Sequence, residues 1–168
     1  MKKIELLAPA GDMHSLYAAV QSGADAIYLG GNKFSARAYA NNFNNENLEV
    51  AVKYCHIYDV KIYITINTLL TENELKEAVR YTKFFHSIGV DGLIIQDIGF
   101  AINIKKILPD FELHASTQMT VHNLEGALFL KEIGFKRIVL SRELSLKEIQ
   151  YISRNLGAET EIFIHGAL

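Results

Sequence analysis

Short β-branched runs alternate with longer amphipathic stretches from one end of the chain to the other, and this alternation limits its fold more than any other feature. Runs read as strands and stretches as helices, so the chain is built of βαβ units around a parallel sheet. Strands are predicted over residues 4–8, 25–29, 61–67, 92–96, 112–116, 137–141 and 161–165, with six helical stretches between them. In the third stretch Leu75, Val79, Thr82, Phe85 and Ile88 recur at spacings of three and four, behind a Thr71/Glu74 capping box. The sixth repeats the grammar: Ser145 caps, Glu148 follows three residues later, and Leu146, Ile149 and Ile152 form the buried stripe. Gly23, Gly89 and Gly134 each stop a helix shortly before the next strand.

Right-handed units of this kind either close a barrel or wind an open sheet. The strand faces separate the two. Ile62, Ile64 and Ile66 alternate with Tyr63, Thr65 and Asn67; Leu113 and Ala115 alternate with Glu112, His114 and Ser116; Ile162 and Ile164 alternate with Glu161, Phe163 and His165. An open doubly wound sheet is buried under helices on both faces and is apolar on both. The polar faces here favour an α/β fold of the TIM type with a hydrated or functional interior. An eight-stranded barrel takes about 250 residues. With 168 residues and seven strands at most, the chain reads as one incomplete barrel domain over 1–168, cut before its C-terminal part.

Composition narrows the function classes. The formal charge is −2 and hydrophobic residues make up 49%, so no global basic surplus marks a nucleic-acid binder, although a single basic loop would still suffice. No stretch approaches the roughly 18 apolar residues of a membrane helix, and the N-terminus lacks a signal-peptide core. A cytoplasmic protein without a membrane partner is expected. One cysteine, Cys55, excludes an internal disulfide and a cysteine-only metal site made by this chain. It reads as a packed thiol in the second helix. No metal site is predicted, and H-E-x-x-H, G-x-S-x-G, P-loop and G-x-G-x-x-G patterns are all absent.

In a (β/α) barrel the chemistry gathers at the C-terminal ends of the strands, and each predicted end is polar. The second opens a long loop from Gly30 to Phe43 holding Ser35, Arg37, Tyr39, Asn41 and Asn42; loops of that length in compact domains are usually functional or mobile. Arg37 has the fork to clamp a carboxylate or phosphate, with a solvated arginine as the ordinary alternative. Asn67, Gln118, Arg142 and His165 close other strands, and His114 is expected to share the inward face and top layer with His165, where imidazoles serve as acid, base or ligand. Arg142 and Glu143 adjoin on strand six, so only one faces the axis. Glu5, Glu112 and Glu161 lie low and inward, read as a structural network with Tyr63, Thr65 or a basic partner. His14, His56, His86 and His122 are expected on helices.

The string Leu6-Leu7-Ala8-Pro9-Ala10-Gly11, then Gly23-Ala24-Asp25-Ala26-Ile27-Tyr28-Leu29-Gly30-Gly31 with Phe34-Ser35-Ala36-Arg37, resembles the opening of the collagenase-like peptidase family of unknown catalytic type. So do His114-Ala115-Ser116-Thr117-Gln118, Leu140-Ser141-Arg142-Glu143-Leu144-Ser145 and the closing run from Glu161 to Leu168. The resemblance implies a barrel-like catalytic domain, followed in full-length relatives by a cysteine-bearing segment. In several members such cysteines accompany an iron–sulfur cluster, so no cofactor is expected within this chain and a cluster is expected only of a full-length protein. Better understood branches support hydroxylation of tRNA or ribosomal RNA bases, or of a quinone precursor, while collagen degradation gave the family its name. The leading expectation is therefore the N-terminal catalytic portion of an RNA-hydroxylation enzyme, with His114, Arg142 and His165 as catalytic groups and Arg37, Ser35, Asn41, Asn67 and Gln118 binding substrate. A peptidase acting on protein is one alternative, and a non-catalytic RNA-binding or scaffold module is another. Unpaired sheet edges are expected to favour a homo-oligomer.

Overall fold

A computed structural model of the chain describes residues 4–36 and 43–166. Its strands are β1 (Leu7–Pro9), β2 (Ala26–Gly30), β3 (Lys61–Ile66), β4 (Gly92–Ile95), β5 (Glu112–Ala115), β6 (Arg137–Val139) and β7 (Glu159–Glu161). Between them run α1 (Met13–Gln21), α2 (Asn45–Ile57), α3 (Glu72–Ser87), α4 (Ile98–Ile107), α5 (Leu124–Ile133) and α6 (Leu146–Leu156). The sheet order is β1-β2-β3-β4-β5-β6-β7, and the pairs β1–β2, β2–β3, β5–β6 and β6–β7 run parallel. A doubly wound sheet reverses its strand order at a switch point. This order never reverses, which is the topology of a (β/α) barrel carried through seven strands and six helices. The residues fall into two compact units, Met1–Leu93 and Ile94–Leu168.

In the first unit, register is set at the strand beginnings by two aspartates. Asp25, just before β2, accepts a hydrogen bond from the Leu6 N–H at 2.9 Å, and Asp91, just before β4, accepts one from the Ile62 N–H at 2.8 Å. Each ties down an amide near the start of the preceding strand. The His56 ring lies 3.0 Å from the same Asp91 carboxylate. Leu16, Ile27, Leu48, Ile62, Ile64 and Phe85 form the apolar core. The α3 prediction holds: Glu74 accepts from the Thr71 N–H and hydroxyl at 2.8 and 2.6 Å, and Thr82 and Phe85 are buried. The helix ends against Gly89, whose φ of +89° closes the final turn at no Cβ cost.

The second unit packs Phe100, Ile104, Leu113, Ile138, Ile152 and Leu156 into its core. Register across β5, β6 and β7 pairs His114 with Arg137 and Arg137 with Glu159. Three expectations need correction here. The last strand is Glu159–Glu161 rather than 161–165, because the Arg137–Glu159 pairing fixes where it joins β6; Phe163 and Ile164 beyond it are exposed. Leu146 of the α6 stripe is 79% exposed, since it stands at the very first position of the helix, while Ile152 and Leu156 are buried. The first strand likewise starts at Leu7, leaving Ile4 exposed.

Candidate functional site

The polar strand ends gather in two places, one in each unit. In the first unit the chain leaves β2 through Gly30 and Gly31 and returns at Phe43, which is buried and bridges Gly31. The start of this excursion is tied to the end of β3. Buried Ser35 shares a hydrogen bond of 2.9 Å with Thr65, whose hydroxyl can donate to the Leu29 carbonyl at 3.3 Å. With that proton committed to Leu29, the Ser35 hydroxyl is the donor to Thr65. Asn67 accepts from the Ala36 N–H at 3.0 Å and Thr68 donates to the Phe34 carbonyl at 3.2 Å. Phe34 is held at φ +63°, an uncommon conformation for a bulky residue that these ties secure. The predicted binding residues Ser35 and Asn67 thus come together, through backbone anchoring of the segment that leads to Arg37. Arg37 and Asn41 lie outside the described residues.

Gly31 is required by close approach. A Cβ there would stand 2.5 Å from the Tyr81 hydroxyl of α3, which also accepts from the Asn32 N–H at 3.3 Å. Burial raises the Tyr81 phenol above its ordinary value, keeping it protonated.

In the second unit the ends of β4, β5 and β6 meet. The Ser116 N–H donates to the Ile95 carbonyl at 2.8 Å, and the Ser141 N–H to the Val121 carbonyl at 3.1 Å. Gln118 sits in a short 3-10 turn (Thr117–Met119) after β5, where the Gln96 side chain donates to its carbonyl at 3.5 Å. His122 lies in the loop ahead of α5 rather than on a helix, with its ring 3.6 Å from the Glu143 carboxylate. Arg142 and Glu143 belong to the turn after β6 and are both exposed, so the expected strand alternation between them does not apply. His165 is exposed beyond β7.

His114 is elsewhere. Its side chain is fully buried, and register sets it level with Arg137, the first residue of β6. It therefore does not share a layer with His165, which lies four residues past the last residue of β7. Its Nε2 is 3.7 Å from Glu112, which is also paired with Lys136. Arg137 directs Nε and Nη2 at one Glu159 oxygen, at 3.0 and 2.8 Å, and its Nη1 lies 3.6 Å from Glu161. The charges form a ladder across the beginnings of three strands. Glu112 begins β5 and lies low as expected, whereas Glu161 is the last residue of β7 and does not; both lie beside basic side chains.

Residues 11–168 match the profile of peptidase family U32. The chain belongs to this family. A 23S rRNA 5-hydroxycytidine C2501 synthase of Escherichia coli (strain K12) is 43% identical over 99% of this chain and 25% of its own length. A tRNA hydroxylation protein P1 of Bacillus subtilis (strain 168) is 37% identical over 99% of this chain and 40% of its own. This U32 chain thus spans between a quarter and two fifths of these two curated relatives. The solved U32 peptidase Mk0906 aligns over 95% of this chain and 68% of its own with a TM-score of 0.76 at 14% identity, which shows the barrel fold.

An iron–sulfur cluster is held by several thiolates, and this U32 chain does not fit one. Cys55, its single cysteine, is buried in α2, and burial first, then the nearby Asp91 charge, pushes its thiol up to about 11. Among the described residues no cluster of three or more His, Cys, Asp or Glu is arranged to hold a metal ion, and no helix is long and apolar enough to cross a membrane. His122 is the rim residue the sequence reading misplaced. Asn123 was the available signal: its side chain accepts from the Gly126 N–H at 2.8 Å as the cap of α5, which leaves His122 in the loop.

Proposed function

We propose that this U32 chain is the base-positioning part of an enzyme that hydroxylates a pyrimidine of tRNA or ribosomal RNA in the cytoplasm. The observation that carries the reading is the 43% identity, along 99% of this chain, with the rRNA 5-hydroxycytidine synthase. The tRNA hydroxylation protein P1 supports it at 37%. The strand-end geometry suits the task. Amide side chains recognise unpaired bases by their hydrogen-bonding edges, and Gln96 and Gln118 stand together after β4 and β5 with His122 and Glu143 nearby in the same unit.

In this reading Gln118, His122, Arg142 and His165 contact the RNA. Ser35 and Asn67 act as positioning residues, delivering Arg37 to an anionic group of the substrate. His114 belongs with Glu112 and Arg137 to the scaffold. The test is mass spectrometry of nucleosides from tRNA and rRNA of a strain lacking the gene. Loss of a hydroxylated uridine or cytidine is expected; unchanged RNA together with reduced gelatin cleavage would replace this reading with a peptidase.

A further inference from the structure

Beside the loop that follows β2, the first unit carries a cleft of about 800 Å³ between that loop, the start of α2 and the middle of α3. That volume falls within the range of small-ligand sites. Its wall is aromatic: the rings of Tyr81 and Phe84 are parallel to within 8°, with centroids 6.4 Å apart. Tyr81 is fixed from behind by Phe85, at 4.2 Å, and by its hydrogen bond with the Asn32 N–H. Amides border the opening, since Asn32, Asn44 and Asn45 all line it. The Asn44 side chain is engaged in capping, accepting from the Asn47 N–H at 2.8 Å.

Charge in the cleft is nearly balanced. Lys33 is paired with Glu77 at 2.5 Å, and Glu46 faces the cleft as well. Among the described residues nothing pairs with Arg80, which is exposed beside the two rings. A surface that tracks a polyanion needs a run of cations, and the described residues of this one offer a single uncommitted guanidinium. An aromatic wall, several amides and the Arg80 guanidinium are the complement of a single unstacked nucleotide: a π-face, a hydrogen-bonding edge and one phosphate. A duplex keeps its bases stacked inward and offers no such face.

We infer that this cleft is an accessory subsite taking one unpaired nucleotide of the RNA substrate, its base laid on Phe84 and its phosphate on Arg80. The inference rests on the RNA reading above and adds a point of attachment on α3 to the residues named there. It fits an enzyme that must select one loop or bulge among many RNA helices, because a requirement for a second unpaired nucleotide supplies that selection.

The experiment uses the full-length protein and a fluorescein-labelled single-stranded RNA decamer, with a blunt duplex of the same sequence as comparison. Phe84→Ala is expected to weaken decamer binding by about fivefold to a hundredfold, the range for losing one base stack, and Phe84→Trp to restore it. Arg80→Ala is expected to reduce the slope of log affinity against log salt by about one and leave the melting temperature unchanged. Duplex binding is expected to change in neither variant. Decamer affinity and salt slope both unchanged in a folded Arg80→Ala protein would overturn the inference, as would loss of affinity for gelatin peptides in place of RNA. The two proposals fail separately. A gene deletion that leaves every hydroxylated nucleoside in place removes the RNA reading, whereas variants that bind RNA and restore modification like the wild type remove only the subsite.

Discussion

The polar face of β3, which carries Tyr63 and Thr65, and the charge ladder of β5, β6 and β7 are satisfied by different chemistry. On β3 the polar group is a neutral hydroxyl, and Thr65 passes its hydrogen bonds outward to Ser35 in the following loop. Across β5 to β7 the polar groups are charged: Glu112 lies beside His114 and Lys136, and Arg137 reaches sideways to Glu159 and Glu161. Neutral hydroxyls are cheap to bury with one or two partners, whereas charges removed from water need several. The first arrangement is thereby suited to holding a loop, and the second to holding strands in register.

The largest effect is expected at Arg137, whose side chain is 7% exposed. Arg137→Ala leaves Glu159 and Glu161 without their guanidinium, and breaking a buried pair costs about 3 kcal/mol or more; because Glu159 keeps some solvent, the lower end applies. Urea unfolding of the full-length protein measures it. Adding Glu159→Gln to Arg137→Met is expected to recover part of the loss, and a result no better than Arg137→Met alone would mean the ladder does not set the register.

A smaller loss, about 1 kcal/mol for one hydrogen bond, is expected for Thr65→Val. That substitution is also expected to lower RNA modification more than it lowers stability, because it releases Ser35 at the foot of the segment leading to Arg37. Equal falls in the two would make Thr65 merely structural.

Next comes the Ser145 cap of α6, whose hydroxyl and N–H hold the Glu148 carboxylate below its ordinary range. Ser145→Ala is expected to lower Tm by about 2 to 4 °C. Glu148 stabilises the fold above its unfolded pKa, so this contribution fades as pH falls through the depressed folded value, and the gap between wild type and variant should narrow in acid. The smallest effect is at Cys55. Its thiol is raised, so the folded state holds the proton more tightly than the unfolded state, and stability is lost as pH climbs from about 9 towards about 11. Cys55→Ala should lack that decline, and a thiol reagent at pH 8 should label Cys55 only after unfolding.

Much of this architecture was legible in the sequence where the determinants are local. The Thr71/Glu74 and Ser145/Glu148 boxes each join residues three positions apart, and both formed as read. The alternation on β3 was legible too, although its polar face proves packed rather than hydrated: Tyr63 is fully buried. What was not legible depended on partners far apart in the chain. The position of β7 follows from Arg137 meeting Glu159 22 residues later, and nothing near residue 161 announces it. His114 and His165 looked equivalent because the predicted strands put both on the inward face near a strand end, but register, not the local pattern, sets height on a sheet. The cleft beside Arg80 was invisible for the same reason, since its walls come from a loop and two helices whose proximity only the fold creates.

Complementation of the gene-deletion strain tests the central claim most directly, with hydroxylated nucleosides counted by mass spectrometry. The wild-type full-length protein is expected to restore the missing nucleoside, and Gln118→Ala, exposed at the end of β5 and without a part in the core, is expected to fail at normal abundance and Tm. Full restoration by Gln118→Ala, or a deletion strain whose RNA never lost the modification, would contradict the account.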